Sequence, residues 1–217
     1  MAKFGFGYAS HDARRRQRLA DVDPDELDRV QAQALEAAKD YRLERLRSPV
    51  PDEVLAELVE VTAAINDAPG GTLTYEDEVF DVTRLREVET ARQKRGDLMY
   101  RIVARHKETG EAAGHTVVVF NPLRPQRAGQ GDTAVARTHR GHRLGLLLKI
   151  DMMRWLAEEQ PQLEEIETWN HADNAYMINV NEAIGYRLSR IFNMYELKLE
   201  GAQPYASKTA QAEPAPV

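Results

Sequence analysis

Residues 132–149 read DTAVARTHRGHRLGLLLK, and this stretch decides which fold the chain can adopt. A short apolar strand runs into a basic loop that contains Gly141 and Gly145, and a strongly apolar helix follows at once. Backbone N–H groups at a helix start, together with the positive end of the helix dipole, bind anions, and glycine allows a close approach. The stretch predicts a phosphate-binding loop. A tight strand-to-helix turn that uses glycine only for its geometry explains the same residues equally well.

Helices and strands alternate on both sides of this loop. Upstream, Asp23 and Pro24 have the character of an N-cap and a first helical residue, and charged residues alternate with apolar ones soon afterwards. The predicted elements are, in order, a helix from residue 23, a strand at 41–46, a helix after 51 that ends by 67–71, a helix at 78–94, a hairpin of 98–105 and 113–120, a strand at 133–136, a helix at 144–159, a strand at 165–169, a helix at 174–183 and a strand at 188–199. This order predicts an α/β (α+β) body.

The composition excludes several classes of protein. The chain has 217 residues, no cysteine and a formal net charge of −6. Without cysteine there are no disulfides, thiolate metal sites or acyl-cysteine intermediates. The acidic balance argues against a nucleic-acid partner, no apolar run approaches the roughly 18 residues of a membrane span, and residues 1–8 do not resemble a secretory signal. We therefore expect a cytoplasmic protein with neither a nucleic-acid nor a membrane partner.

Two segments carry a resemblance to a known family. Residues 140–145, RGHRLG, resemble motif A of the GNAT superfamily of N-acetyltransferases, with Arg143 where the family usually has its first motif glycine. Residues 168–187, TWNHADNAYMINVNEAIGYR, resemble motif B of the same family. The resemblance implies a mixed central sheet flanked by helices over residues 41–200. In it, two parallel strands splay apart and leave a slot for acetyl-coenzyme A.

The resemblance also implies roles for individual residues. The main chains of Val135 and Arg137 are expected to bond the pantetheine arm of acetyl-coenzyme A, and Asn170 and Asn174 are expected to contact that arm as well. The pyrophosphate is expected to bind the loop that consists of Arg140, Gly141, His142, Arg143, Leu144 and Gly145. His139, His142 and His171 lie nearby, but no HExxH-like spacing exists, so we expect no metal site.

The expected reaction is direct transfer of an acyl group to a primary amine of a small molecule. Asp132 is the candidate base, although an aspartate at a strand start is as often a turn residue. Asn181 stands where family members often have a tyrosine that protonates the leaving thiolate, so Tyr176, another tyrosine or water would do so. Tyr176 is equally interpretable as a packing residue. The acceptor itself is not readable from the sequence, although the acidic run Glu76, Asp77, Glu78 and Asp81 would attract a cationic amine.

The two ends of the chain differ from this body. Residues 1–40 form an arm and a helix, and KFGFGYASHDARRRQRL at 3–19 resembles the end of another GNAT domain, as in tandem members such as mycothiol synthase. A lone final strand without a sheet is expected to be mobile, or to pair with another chain and promote a homodimer. Residues 201–217 have the composition of a disordered tail. A catalytically silent acyl-coenzyme A binding module and an interaction domain remain alternatives to an enzyme.

Overall fold

The computed structural model describes residues 2–69 and 77–197, so Glu76 and the tail at 201–217 lie outside the described residues. These residues form seven strands and five α-helices. In chain order they are β1 (Gly7–Arg18), α1 (Pro24–Ala37), β2 (Tyr41–Arg47), α2 (Asp52–Ala63), α3 (Val82–Lys94), β3 (Leu98–His106), β4 (Ala112–Phe120), β5 (Arg127–Val135), α4 (Leu144–Glu159), β6 (Glu165–His171), α5 (Ala175–Ala183) and β7 (Arg187–Glu196). Short 3₁₀ helices lie at Ala2–Phe4, Leu19–Asp21, Ala64–Asp67 and Arg137–His139.

The strands form one mixed sheet in the order β2-β3-β4-β5-β6-β1-β7. Only β5 and β6 run parallel, and their pairing covers Arg127–Gly129 against Glu165–Glu167 before the register ends. Beyond that point the two strands separate within the described part of the sheet. The predicted α/β fold with two splayed parallel strands is therefore confirmed.

Helices cover the β2–β5 half of the sheet on both faces. Side chains alternate across a strand, so neighbouring residues of β3 face opposite layers. Ile102 packs into the larger core with α1 and α4, whereas Val103 packs into a smaller core with α2 and α3. The apolar stripe of α2, which the sequence predicts, supplies Leu55, Leu58 and Val61 to that smaller core. None of the described helices is long and apolar enough to cross a membrane.

Two predicted boundaries need correction. Strand β5 begins at Arg127 rather than at residue 133, because Gly129 and Gly131 interrupt the apolar pattern by which a strand is recognised. Helix α3 begins at Val82 rather than at residue 78. The side chain of Asp81 accepts a hydrogen bond from the Arg84 N–H at 2.7 Å and so fixes the first turn.

The expectation of a mobile arm is wrong. Strand β1 lies inside the sheet, antiparallel to β6 over Asp12–Arg18 and to β7 over Gly7–Arg16. The side chain of Gln17 is fully buried and donates a hydrogen bond to the Ile184 carbonyl at 2.5 Å. An N-terminal strand is a sequence-distant partner for β6 and β7, so no local pattern indicates this place. The arginine-rich segment is thus an interior strand of the chain's own sheet.

Candidate functional site

A cavity of about 550 Å³ opens where β5 and β6 separate. Its walls come from the end of β5, the start of α4, the start of α5 and the 3₁₀ helix after α2. The lining residues are Ala64, Ile65, Asp67, Ala68, Pro69, Thr133, Ala134, Val135, His139, Arg140, Gly141, Leu144, Gly145, Asp173, Asn174, Ala175, Tyr176 and Met177. Of the predicted site residues, the structure brings Val135, Arg140, Gly141, Leu144, Gly145, Asn174 and Tyr176 together in this lining.

The loop before α4 presents backbone donors to the cavity. Gly141 has a φ of +88°, a conformation that glycine adopts freely, and Arg143 reaches φ +54° immediately before the helix. No described side chain caps the first turn of α4. The first N–H groups of a helix have no partner inside it, so those of Leu144 and Gly145 are available to an acceptor in the cavity. This arrangement fits a pyrophosphate group.

Three predicted cofactor residues have side chains engaged elsewhere. The His142 ring packs 5.3 Å from the ring of Tyr41, and the Arg143 guanidinium donates to Gln33 on α1 at 3.0 Å. The Asn170 side chain accepts a hydrogen bond from Asn181 at 2.7 Å. These three residues do not line the cavity, and neither does Arg137. For the roles that the sequence motif implies, their main-chain groups and the side-chain nitrogen of Asn170 remain.

Asn174 lines the cavity and also begins α5. Its side-chain oxygen accepts the N–H of Met177 at 3.1 Å, which is an N-cap contact. Its side-chain nitrogen is left for a bound group. Tyr176, in the first turn of the same helix, is 61% exposed at the cavity wall. Its exposure argues against the interpretation of this tyrosine as a packing residue.

Asp67 is a site residue that the sequence did not indicate. It lies in the 3₁₀ helix Ala64–Asp67, and its carboxylate accepts hydrogen bonds from Arg137 at 2.5 and 3.0 Å and from Arg140 at 2.7 Å. The hydrogen bonds from Arg137 and then Arg140 lower the pKa of the Asp67 carboxyl to about 2. Both arginines are predicted cofactor residues. The contact joins positions some seventy residues apart, so no local motif encodes it.

Asp132 lies in a bulge of β5 beside the cavity wall, although it does not itself line the cavity. Thr133 of β5 pairs with Thr116 of β4, and Gln130 of β5 pairs with Val118 of β4. Between these two pairs β5 has one residue more than β4. The Gln130 amide donates to the Val117 carbonyl at 2.7 Å and holds the bulge. Asp132 is therefore part of a β-bulge and is not a simple turn residue.

The surroundings of Asp132 alter its acidity. Its side chain is open to solvent on one side, yet the protein around it removes part of its hydration and raises the pKa of its carboxyl. Glu78 adds to the rise in pKa, and Arg101 opposes it. A carboxyl with a raised pKa is a better base than an ordinary one while it remains ionised.

Arg101 belongs to a buried polar pair that sequence reasoning missed. Its guanidinium contacts the Nδ1 atom of His115 at 2.7 Å, on the sheet face covered by α2 and α3. Burial, followed by the charge of Arg101, holds the pKa of His115 well below its usual range. His115 is therefore neutral beside the cation. A histidine and an arginine on adjacent strands give no recognisable sequence motif.

The closing part of motif B is buried. Asn181 and Tyr186 are each at most 1% exposed, and burial raises the pKa of the Tyr186 hydroxyl above its ordinary value. Neither side chain lines the cavity, which leaves Tyr176 as the tyrosine at its wall. Within residues 2–69 and 77–197, no group of three histidine, aspartate or glutamate side chains is arranged to hold a metal ion.

Comparison with known proteins identifies relatives of this fold. No family model and no curated protein matches the sequence. A solved tandem GNAT protein from the clavulanic acid biosynthesis pathway is 27% identical over 89% of this chain and 55% of its own, with a TM-score of 0.70. A GCN5-related N-acetyltransferase from Sphaerobacter thermophilus is 15% identical over 90% of this chain and 53% of its own, with a TM-score of 0.62.

A GCN5-related N-acetyltransferase-like protein from Streptococcus suis has the same fold at lower similarity, with a TM-score of 0.53 and 13% identity over 91% of this chain and 66% of its own. The chain spans about half the length of the first two relatives. The chain has the fold of the GNAT superfamily, and its similarity to the tandem GNAT protein supports the resemblance that the sequence predicted.

Proposed function

We propose that the chain is an acetyl-coenzyme A dependent N-acetyltransferase that acylates a primary amine of a small molecule by direct attack. The observation that carries this proposal is the cavity between the splayed strands, which reaches the uncapped first turn of α4. A pantetheine arm fits between the strands while a pyrophosphate meets the free N–H groups. When bound, acetyl-coenzyme A supplies a thioester whose acyl carbon an amine can attack.

The chain's own residues would serve the proton transfers. An amine with a pKa near 10.4 is charged at pH 7, and removing its proton costs about 4 to 5 kcal/mol. Asp132, whose pKa is raised by its surroundings, is the proposed acceptor of that proton. Tyr176 at the cavity wall, or water, is proposed to return a proton to the leaving sulfur. Thiolate is a good leaving group, so this second transfer contributes less to the rate.

The acidic side chains near the proposed acceptor end are held by different contacts. Asp81 caps α3, and the Glu78 carboxylate forms an ion pair with Arg84 at 2.5 Å. Asn66 holds the Glu78 backbone through hydrogen bonds of 2.9 and 3.1 Å. Glu78 still acts on Asp132, because its charge raises the pKa of the Asp132 carboxyl against the opposing charge of Arg101. Negative charge at this end favours a cationic acceptor, in agreement with an amine.

A catalytically silent acyl-coenzyme A binding module is the second candidate. The observation that favours it is Asn181, which replaces the usual tyrosine and is buried in a hydrogen bond with Asn170. An asparagine cannot donate a proton as a general acid at neutral pH. The module would bind the cofactor without turnover.

Turnover separates the two candidates. The protein is incubated with acetyl-coenzyme A and a panel of small primary amines, and free thiol release is followed together with the mass of the acylated product. The proposal expects amine-dependent thiol release with at least one member of the panel. Cofactor binding without release from any amine supports the silent module, and the absence of both binding and release contradicts either candidate.

We also propose that a second GNAT unit, either a preceding half or another copy, packs against β7. The chain spans about half of a tandem GNAT relative, and Leu188 and Ile191 of β7, which pair with Arg15 and Ala13 of β1, are 54% and 53% exposed. An exposed edge strand of this kind favours association. The lack of cysteine suits a reducing compartment such as the cytoplasm. Light scattering of the purified chain tests the association, since a strictly monomeric chain at high concentration argues against a second copy.

A further inference from the structure

The contact between Asp67 and two arginines joins the segment after α2 to the loop before α4 at the cavity. Asp67 belongs to the 3₁₀ helix that continues α2, whereas Arg137 and Arg140 lie in the loop between β5 and α4. Arg137 binds the carboxylate side-on through Nε and Nη2, at 3.0 and 2.5 Å. Arg140 adds its Nη2 at 2.7 Å. One carboxylate therefore engages both cationic side chains that precede Gly141.

The same contact involves an acceptor that the cofactor arm would use. The Nε atom of Arg140 donates to the Val135 carbonyl at 3.1 Å while its Nη2 atom holds Asp67. Val135 lines the cavity at the end of β5, beyond the residues that pair with β6. In this arrangement the Arg140 side chain bridges Val135 and Asp67 beside the loop that fits a pyrophosphate.

A bound pyrophosphate and the Asp67 carboxylate would compete for the same cations. Both are anions, both prefer the planar fork of an arginine, and they repel each other at short range. Arg137 and Arg140 are 76% and 46% exposed, so each can turn from one anion to the other without unpacking a core. The Asp67 side chain is 23% exposed and is held by its short helix.

We propose that Asp67 is a positioning residue that competes with the cofactor's pyrophosphate for Arg137 and Arg140, so that cofactor binding separates the 3₁₀ helix from the loop. This inference rests on the proposed function, because it assumes an acyl-coenzyme A in the cavity. Asp67 weakens cofactor binding and couples that binding to the position of the 3₁₀ helix after α2. Asn66, the neighbouring residue, holds the Glu78 backbone, so this wall continues toward Asp132 and the acceptor end.

The test compares Asp67→Asn with the unaltered chain. Asparagine keeps the size of the side chain but removes its charge, so the arginines become free for phosphate. The dissociation constants of coenzyme A and of S-acetylpantetheine, which lacks the pyrophosphate, are measured by calorimetry at low ionic strength. We expect coenzyme A to bind about 5- to 30-fold more tightly to Asp67→Asn, because the competing ion pairs are lost. The affinity for S-acetylpantetheine is expected to stay unchanged.

A matched control is available on α4. Asp151 is 20% exposed, is held by Arg45 through two hydrogen bonds of 2.8 and 3.0 Å, and does not line the cavity. Asp151→Asn removes the same kind of ion pair and is expected to leave both affinities unchanged. A gain in coenzyme A affinity in both variants would therefore contradict a specific role of Asp67.

A second variant tests the path through the arginine. Arg140→Gln is expected to weaken coenzyme A binding more in the Asp67→Asn background than in the unaltered chain, because Asp67 no longer occupies Arg140. Equal or lower coenzyme A affinity of Asp67→Asn, or an equal change for both ligands, overturns the inference. If the unaltered chain itself does not bind coenzyme A, the proposed function fails first.

Discussion

The two ends of the cavity are assembled in different ways. The proposed cofactor end comes mainly from one continuous stretch, residues 137–145, and would act largely through backbone groups at the start of α4. The proposed acceptor end combines the 3₁₀ helix Ala64–Asp67 and the start of α5, which line the cavity, with the bulge of β5 beside it; these elements are distant in sequence and would act through side chains. The difference implies that cofactor affinity and catalytic rate can be altered separately. Asp67 is the residue that joins the two ends.

The largest effect is expected at the acceptor end. Asp132→Asn removes the proposed base and should lower the rate about 10²- to 10⁴-fold, with acetyl-coenzyme A affinity almost unchanged. The rate of the unaltered chain should fall as the pH drops through the pKa of Asp132, which lies above the ordinary value of 3.8. The pH–rate profile and a binding titration measure both effects. An unaltered rate in Asp132→Asn would remove Asp132 from the mechanism. It would also contradict the view that the two ends of the cavity control cofactor affinity and catalytic rate separately.

A smaller effect, on stability alone, is expected from Lys149. This lysine lies on the inner side of α4, 3% exposed, with its Nζ atom 5.0 Å from the centre of the Tyr186 ring. Burial lowers its pKa from 10.5 to about 7. Lys149→Met removes the buried charge and should stabilise the fold by about 2 kcal/mol at pH 6, without changing cofactor affinity.

The stability gained by Lys149→Met is expected to depend on pH. Below pH 7 the lysine is charged in both the folded and unfolded states, so the penalty is fully present. Between about 7 and 10.5 only the unfolded state stays protonated, so the stability of the unaltered chain rises with pH. Urea unfolding at pH 6 and 9 should show the advantage of Lys149→Met shrinking at pH 9. An advantage that grows with pH would contradict a depressed lysine pKa.

The smallest effect is expected from Tyr176→Phe. Thiolate leaves without much help, so loss of the hydroxyl should lower the turnover rate by no more than about tenfold. Tyr195→Phe on β7, where the tyrosine is also exposed, is the matched control and should leave the rate unchanged. Steady-state rates of both variants provide the measurement. A loss as large as that of Asp132→Asn would mean that protonation of sulfur limits the reaction.

Local sequence signals predicted the glycine loop before α4 and named Asp132 and Tyr176, but they did not predict the contacts between elements that are distant in sequence. The uncapped start of α4 and the positive φ of Gly141 follow from glycine placement and apolar periodicity within a few residues. The Asp67 contacts and the Arg101–His115 pair depend on which elements become neighbours in three dimensions. The same limit explains the arm: its strand is visible in the sequence, but its place between β6 and β7 is not. In each case the missing information is the pairing partner.

The central claim is that acetyl-coenzyme A binds the loop before α4, and thermal unfolding with and without the cofactor tests it most directly. At a hundredfold excess over its dissociation constant, a ligand that binds only the folded state stabilises it by about 2.7 kcal/mol, or roughly 5 to 10 °C for a chain of this size. Gly141→Asp, which places a charged side chain at φ +88°, should abolish the shift. The account predicts a shift for the unaltered chain and none for this variant. No shift with millimolar acetyl-coenzyme A, or an equal shift in Gly141→Asp, would contradict it.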